Sequence, residues 1–345
     1  MKKGNSGPLA MVVMIAAIVL ICNAPDAAAG IKEGLALCMQ VVVPALFPFI
    51  FLSILLNSAL IGRKIPFLQP LCRLCGIPDG CEGLLLIGMI GGYPVGAQNI
   101  HLAYQCGTLH RNTANRLLGF FNNAGPAFIF GMLSPLFTNP GAPWLLWLLH
   151  MGCALVVGFL LPGKAHSATP RQKLPPLTVT AALEKSLKAI AMICGWVILF
   201  RAFLYMLNQW ILQKLPVVLQ ALFTGFLELT NGCCLLSRIP NECERFIVAA
   251  VLLAQGGLCI TMQTASAIGE LSLESYLPGK CLQTVISLLL SLPVASILYR
   301  RPIVTASTMG LFMVCLLMLS LFLYFLRPKK VVAFRNKMVY NNTKR

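Results

Sequence analysis

Charged side chains are scarce in this sequence. Asp, Glu, Lys and Arg together make up 11% of its 345 residues, against 58% that are hydrophobic. A soluble domain runs nearer half apolar and a quarter charged, so a water-facing globular surface is excluded and a polytopic membrane protein is implied. Catalytic signatures are absent as well. There is no Ser–His–Asp order, no His-Glu-x-x-His and no phosphate-binding Gly-x4-Gly-Lys-Ser/Thr. The segment Gly88-Met89-Ile90-Gly91-Gly92-Tyr93 lacks the βαβ context of a dinucleotide site. The four histidines (His101, His110, His150 and His166) fall at span ends or in loops, without metal-ligand spacing. No enzyme activity, cofactor or metal is expected.

The net charge of +17 could suggest nucleic acid, but its placement argues against such a partner. The basic residues sit in short loops between apolar runs and in the C-terminal tail, where they orient a membrane protein. Fourteen cysteines suggest a disulfide scaffold only until they are located. Most, such as Cys38, Cys153, Cys194, Cys259 and Cys315, lie within apolar runs and act as small hydrophobes. Cys72, Cys75 and Cys81 cluster in a loop. They read as reduced cytoplasmic thiols, because a zinc site would need a fourth ligand at a recognisable spacing.

Apolar runs long enough to span a hydrocarbon core of roughly 30 Å occur at 9–28, 31–61, 84–100, 117–137, 144–161, 188–210, 217–236, 246–268, 281–299 and 303–326. The first also has the look of a signal peptide, with Lys2 and Lys3 ahead of it and Ala27-Ala28-Ala29-Gly30 at its end. An uncleaved first helix is preferred, because no soluble domain follows. The run at 31–61 would reach about 46 Å as a straight helix. Pro44 and Pro48 lie in its middle, so a kink or break is expected there.

Two of these runs carry polar or helix-breaking residues at membrane depth. One is Gly88 to Gln98, the other Glu228-Leu229-Thr230-Asn231-Gly232. Such residues are tolerated there only where the backbone is buried in protein or lines a wet cavity. Each is followed by a second break, Asn122-Asn123-Ala124-Gly125-Pro126 in the first half and Gln255-Gly256-Gly257 in the second. If 84–100 and 217–236 are re-entrant hairpins, the N-terminus, 62–116, 162–182, 269–280 and the tail all face the cytoplasm. They take most of the Lys and Arg with them. Lys32, Lys214, Arg238, Arg245, Arg300 and Arg301 stay outside, and Arg201 lies within a span. The Arg300-Arg301 pair runs against the positive-inside rule.

The expected architecture is therefore an all-α polytopic membrane protein of about 8–10 membrane segments. Its segments form two inverted helical repeats with re-entrant hairpins. The organisation reads as an N-terminal transmembrane helix (1–30), a first repeat (31–161), a cytoplasmic linker (162–187) and a second repeat (188–299). A C-terminal transmembrane helix (300–326) and a basic tail (327–345) suited to anionic lipid complete it.

A polar solute site is expected at the repeat interface, from Tyr93, Gln98, Asn122, Asn123, Glu228, Thr230, Asn231, Gln255 and Gln263. Amides offer both donors and acceptors there. Gly92, Pro94, Gly96, Pro126, Gly232, Gly256 and Gly257 break the helices around it. Glu228 is the one acid read well inside a membrane segment. It either takes a proton, cation or solute group, or pairs with Arg201. Small residues at close helix contacts and amides bonding between helices would explain the same positions without a site.

Five motifs in order resemble the YlbJ-like sporulation integral membrane proteins, within the wider nucleoside-recognition, or Gate, membrane domains. They are Pro44-Ala45-Leu46-Phe47-Pro48-Phe49, Gly92-Tyr93-Pro94 with Gly96-Ala97, Phe121-Asn122-Asn123-Ala124-Gly125-Pro126, Glu228-Leu229-Thr230-Asn231-Gly232, and Gly256-Gly257 with Gln263. Thr261 and Met262 depart from the more polar pattern of that family. The resemblance implies a multi-pass inner-membrane protein of an endospore former, with both termini cytoplasmic, moving a small polar solute that is nucleoside-like at best. The alternative is a non-transporting scaffold for spore envelope or coat assembly. Membrane lipid and the solute are the expected partners, and a homo-oligomer is open.

Overall fold

The computed structural model describes residues 6–60, 63–161, 163, 177–301 and 320. Every regular element among them is helical. Among the described residues, six helical stretches are long and apolar enough to cross a membrane: Ala24–Leu60, Arg111–Leu136, Ala142–Leu160, Val179–Trp210, Glu242–Ala267 and Tyr276–Tyr299. The C-terminal helix and tail expected at 300–326 and 327–345 fall almost wholly outside the described residues, as does most of the linker.

Helix α1 (Ser6–Cys22) ends at Asn23, and α2 (Ala24–Leu37) starts at once, with Pro25 in its first turn. The helix boundary therefore lies earlier than residue 30. Proline fits a helix start because its missing N–H would have no partner there. Near Pro44, where a kink or break is expected, the chain runs on from α2 through a π-turn (Cys38–Val42) into α3 (Val43–Leu60). Val43 N–H reaches back five residues to Cys38 O. Widening the turn just ahead of Pro44 is one way a helix accommodates a residue with no N–H and a bulky ring.

A short α4 (Gln69–Leu74) leads to α5 (Glu82–Ile90) and α6 (Val95–Gln105), which pack on each other. Gly88 before their turn and Gly96 after it both press on Phe121, at the end of α7 (Arg111–Phe121). The chain then unwinds over 122–125 and resumes as α8 (Pro126–Phe128), a π-turn and a 3-10 turn ending at Leu136. Helix α9 (Ala142–Leu160) closes the first half. The second half opens with α10 (Val179–Trp210), nine residues before the expected start, capped by Thr178 Oγ1 on Ala181 N–H at 3.2 Å. It continues with α11 (Val217–Leu227), α12 (Leu229–Leu235), α13 (Glu242–Gln255), α14 (Gly257–Ala267) and α15 (Tyr276–Tyr299).

Glycine sets how these helices meet. A Cβ on Gly30 would lie 2.8 Å from Ala202 Cα, and one on Gly34 would lie 3.0 Å from Ile198 Cα. Further along, Cys38 Sγ faces Cys194 O at 3.7 Å. The numbers rise on one helix as they fall on the other, so α2 runs antiparallel to α10. At the α7–α15 crossing, a Cβ on Gly279 would sit 2.1 Å from Gly119 O. Small residues at these positions let backbones approach where lipid gives no hydrophobic drive to associate. Arg116 bonds to Gly158 O (2.6 Å) and Leu161 O (3.2 Å), while Ala124 N–H bonds to His150, so α7 and α9 are antiparallel. Against α15 the order is parallel, Gly119 meeting Ser275 and Gly279 and Asn123 meeting Lys280 and Gln283. Helix α13 is enclosed on all sides: residues 246–254 are all buried, against neighbours that include α9 and α15.

Candidate functional site

The four helix breaks touch one another. Gly92 (φ +73°) and Gly125 are in backbone contact, since a Cβ on Gly125 would lie 2.9 Å from Gly92 N. Gly257 stands in the same relation to the α11–α12 break, with 2.8 Å from its would-be Cβ to Gly225 O. Gly256 joins the two pairs, because its Cβ would be 3.3 Å from the Tyr93 hydroxyl. Gly256 and Gly257 have φ of +78° and +88° in succession, a turn that only glycine enters without strain. Tyr93 itself donates to Leu253 O at 2.9 Å, at the end of α13.

Glu228 lies between α11 and α12 and is fully buried. Its carboxylate caps α12, accepting from Thr230 N–H at 3.0 Å, Asn231 N–H at 2.7 Å and Asn231 Nδ2 at 2.6 Å. A negative charge at a helix N-terminus, satisfying its free N–H groups, is favourable in itself. The direct ion pair with Arg201 does not form. Arg201 pairs with Glu33 on α2, its Nε at 3.1 Å, and donates from Nη1 to Asn231 Oδ1 at 2.6 Å. Asn231 thus bridges the arginine and the buried glutamate. The reason is positional: the glycine contacts that bring α2 onto α10 set Gly34 against Arg201, and Glu33 comes with it.

A second polar cluster centres on a residue expected in a cytoplasmic loop. Lys280 lies in the first turn and a half of α15 and is 5% exposed. Its Nζ donates to Gln283 Oε1 (2.9 Å), Asn123 Oδ1 (3.2 Å) and Tyr93 OH (3.5 Å), and sits 5.2 Å from the centre of the Tyr93 ring. Gln283 donates in turn to Asn123 Oδ1 at 3.1 Å and His150 O at 3.3 Å. No salt bridge to Lys280 is present among the described residues. A run of apolar residues starting at Cys281 hides this lysine. The signal that could have found it is a polar stripe at helical spacing, Lys280, Gln283, Thr284, Ser287 and Ser291, every member buried.

Between the two clusters lies a cavity of about 30 Å³, lined by Tyr93, Gly125, Glu228, Thr230, Ile260 and Gln263, among others. Three of the four breaks line this cavity directly, and the fourth, at 256–257, reaches it only through Ile260, about one turn into α14. That volume can hold water, which needs roughly 10–15 Å³, but falls far below the roughly 300 Å³ of the smallest drug-sized pockets. A larger vestibule of about 350 Å³ opens between α3, α6, α10 and α14, and shares Ile193 and Gln263 with the inner cavity.

Of the residues expected to bind solute, Tyr93, Glu228, Thr230 and Gln263 line the inner cavity, and Gln98 lines the vestibule. Asn123 belongs to the Lys280 cluster. Asn122 donates to Thr264 Oγ1 at 2.7 Å, and Asn231 bridges Arg201 to Glu228. Gln255 lies at the end of α13 with its buried Oε1 unpaired and lines neither space. Gln263 donates to Cys259 Sγ at 3.3 Å, while its own Oε1 is buried and unpaired at the junction of the two spaces. Cys72, Cys75 and Cys81 are buried as free thiols. Burial and the neighbouring Glu82 push Cys72 and Cys81 up to about 12. No group of metal-binding side chains forms among the described residues.

Apolar spans arranged around interrupted helices define an integral membrane protein. Comparison with known proteins narrows this class. The chain is 27% identical over 287 residues to the sporulation integral membrane protein YlbJ of Bacillus subtilis (strain 168), an alignment covering 69% of this chain and 70% of that protein. It is thus YlbJ-like, as its motifs suggest. No family model matches, and no solved structure does.

Proposed function

We propose that this protein moves a small polar solute across the cell membrane of a sporulating bacterium, through a site between two inverted repeats. The observation that carries the reading is the meeting of four helix breaks, two from each half, beside one cavity that shares Ile193 and Gln263 with an open vestibule. Interrupted helices facing each other across a repeat interface are how many secondary transporters build a site.

The inverted arrangement has its own support. The first long helices of the two halves, α2 and α10, are antiparallel. Packing is reciprocal: α7 lies on α9 and α15, and α13 lies on α15 and α9. Helices α11 and α12 fold back closely, since a Cβ on Gly232 would meet Gly225 Cα at 2.3 Å. Gly83 of α5 and the later residues of α6 both lie by the end of α3, as the arms of a hairpin would. The end bearing the vestibule carries Arg63, Lys64, Arg73, Arg111, Lys185 and Lys188, so the positive-inside rule puts it in the cytoplasm. A reporter inserted at Gly107 should then read cytoplasmic and one at Pro240 external. An external reading at Gly107 would sink the hairpin model.

A non-transporting scaffold is the second reading, favoured by the small inner cavity and the close glycine contacts around it. The two separate in the native host. Deleting the gene should change the small-solute content of forespores, and a Glu228→Gln copy present at wild-type level should not restore it. Full restoration of sporulation by Glu228→Gln, with an unchanged metabolite profile, favours the scaffold.

A further inference from the structure

The vestibule has a chemical character that the inner cavity lacks. Lys185 and Lys188 stand one turn apart on α10, on the same face, and both line it. Gln98 and Gln263 supply amides, while Leu102 and Met192 add apolar wall. The positive-inside rule accounts for lysines at this end of the protein. It does not account for the missing carboxylates. Asp79, Glu82, Glu184, Glu270 and Glu274 belong to the same end, yet no described Asp or Glu lines the vestibule. Glu184 directly precedes Lys185 but projects about 100° away around the helix. A volume of about 350 Å³ lies within the range of small-molecule sites, which pair mostly apolar walls with a few placed polar groups.

We propose that this vestibule binds a small organic anion. Its phosphate or carboxylate group lies at Lys185 and Lys188, and its uncharged body rests against Leu102, Met192 and Ile193. Gln263 is the group that such a solute meets last before the inner cavity, and its unpaired Oε1 gives the solute an acceptor there. Lysine suits this role as a mobile point charge for phosphate or carboxylate. The proposal rests on the transport reading for its biological sense, but binding is measurable without transport.

The test uses the full-length protein in phosphatidylcholine nanodiscs, with phenyl phosphate and benzoate as anionic probes and benzyl alcohol as the uncharged control. Calorimetry should show saturable binding of at least one anion, with benzyl alcohol weaker by about tenfold or more. Lys185→Gln with Lys188→Gln should weaken the anion by about tenfold or more. Met192→Trp, which fills the apolar wall and keeps both lysines, should weaken it similarly. Equal affinity for benzyl alcohol, or an unchanged affinity in the double variant, overturns the proposal. A lipid headgroup offers the same phosphate chemistry, so the titration is repeated in nanodiscs containing phosphatidylglycerol. Loss of probe binding there overturns the assignment to a free solute. Failure of binding beside an altered forespore profile leaves transport standing and removes the anion. Intact binding with an unchanged profile does the reverse.

Discussion

Replacing Lys280 by alanine should destabilise the protein by about 3 kcal/mol, whereas replacing it by methionine should cost less than about 1 kcal/mol. Alanine removes most of a side chain buried among Tyr93, Asn123 and Gln283, and the cavity left behind carries the usual large-to-small penalty. Both variants leave Gln283 Oε1 without its donor, while Asn123 Oδ1 keeps the bond from Gln283 Nε2. Methionine refills the volume and relieves the burial of an ammonium group that only neutral oxygens and the rings of Tyr93 and Tyr276 receive. Removing buried charge in favour of apolar packing is often neutral or better. Thermal unfolding of the purified variants reads the difference, and a methionine variant as unstable as the alanine one would refute this account. The ammonium is therefore not explained by stability. A Lys280→Met protein that folds normally but loses the solute movement proposed above is the expected pairing, since ionisable groups in membrane segments are kept for function.

Glu228→Ala should lower stability by about 2–3 kcal/mol and loosen one segment in particular. Helix α12 has seven residues, too few to hold together by propensity alone. Its first turn is organised by the three bonds to the Glu228 carboxylate. Alanine orphans two buried backbone N–H groups and frees the Asn231 amide, so Arg201 loses a fixed acceptor as well. Glu228→Asp should recover more than half of the loss, because aspartate is itself a good helix cap. Hydrogen exchange across residues 229–235, with thermal unfolding, checks both statements. Unchanged protection in Glu228→Ala would show that packing, not the cap, holds α12.

Much of this arrangement was legible in the sequence. Glycine, proline, asparagine and glutamate interrupt runs that are otherwise apolar, and the breaks at 91–94, 122–125, 228 and 256–257 all form. Less legible was anything set by contacts between distant helices. Glu33 and Arg201 are 168 residues apart, and their pairing depends on glycines that bring α2 onto α10. Lys280 was obscured for a different reason. Hydropathy places a span from its apolar residues, so a buried lysine at the margin is assigned to the adjoining loop. Only the spacing of Gln283, Ser287 and Ser291 behind it reveals a helix face turned inward. The continuity of α2 and α3 past Pro44 was hidden too, because proline signals a break but not the wider turn that accommodates it.

Arg201 carries a mechanical consequence. It grips Glu33 on the opening helix of one half and Asn231 beside the cap of α12 in the other. Any tilt that parts α2 from α10 at this level must first undo that grip, and the same tug is felt at Glu228 through the Asn231 amide. The arginine works as a latch with two catches, one at the rim and one at the heart of the molecule, so neither releases without the other being strained.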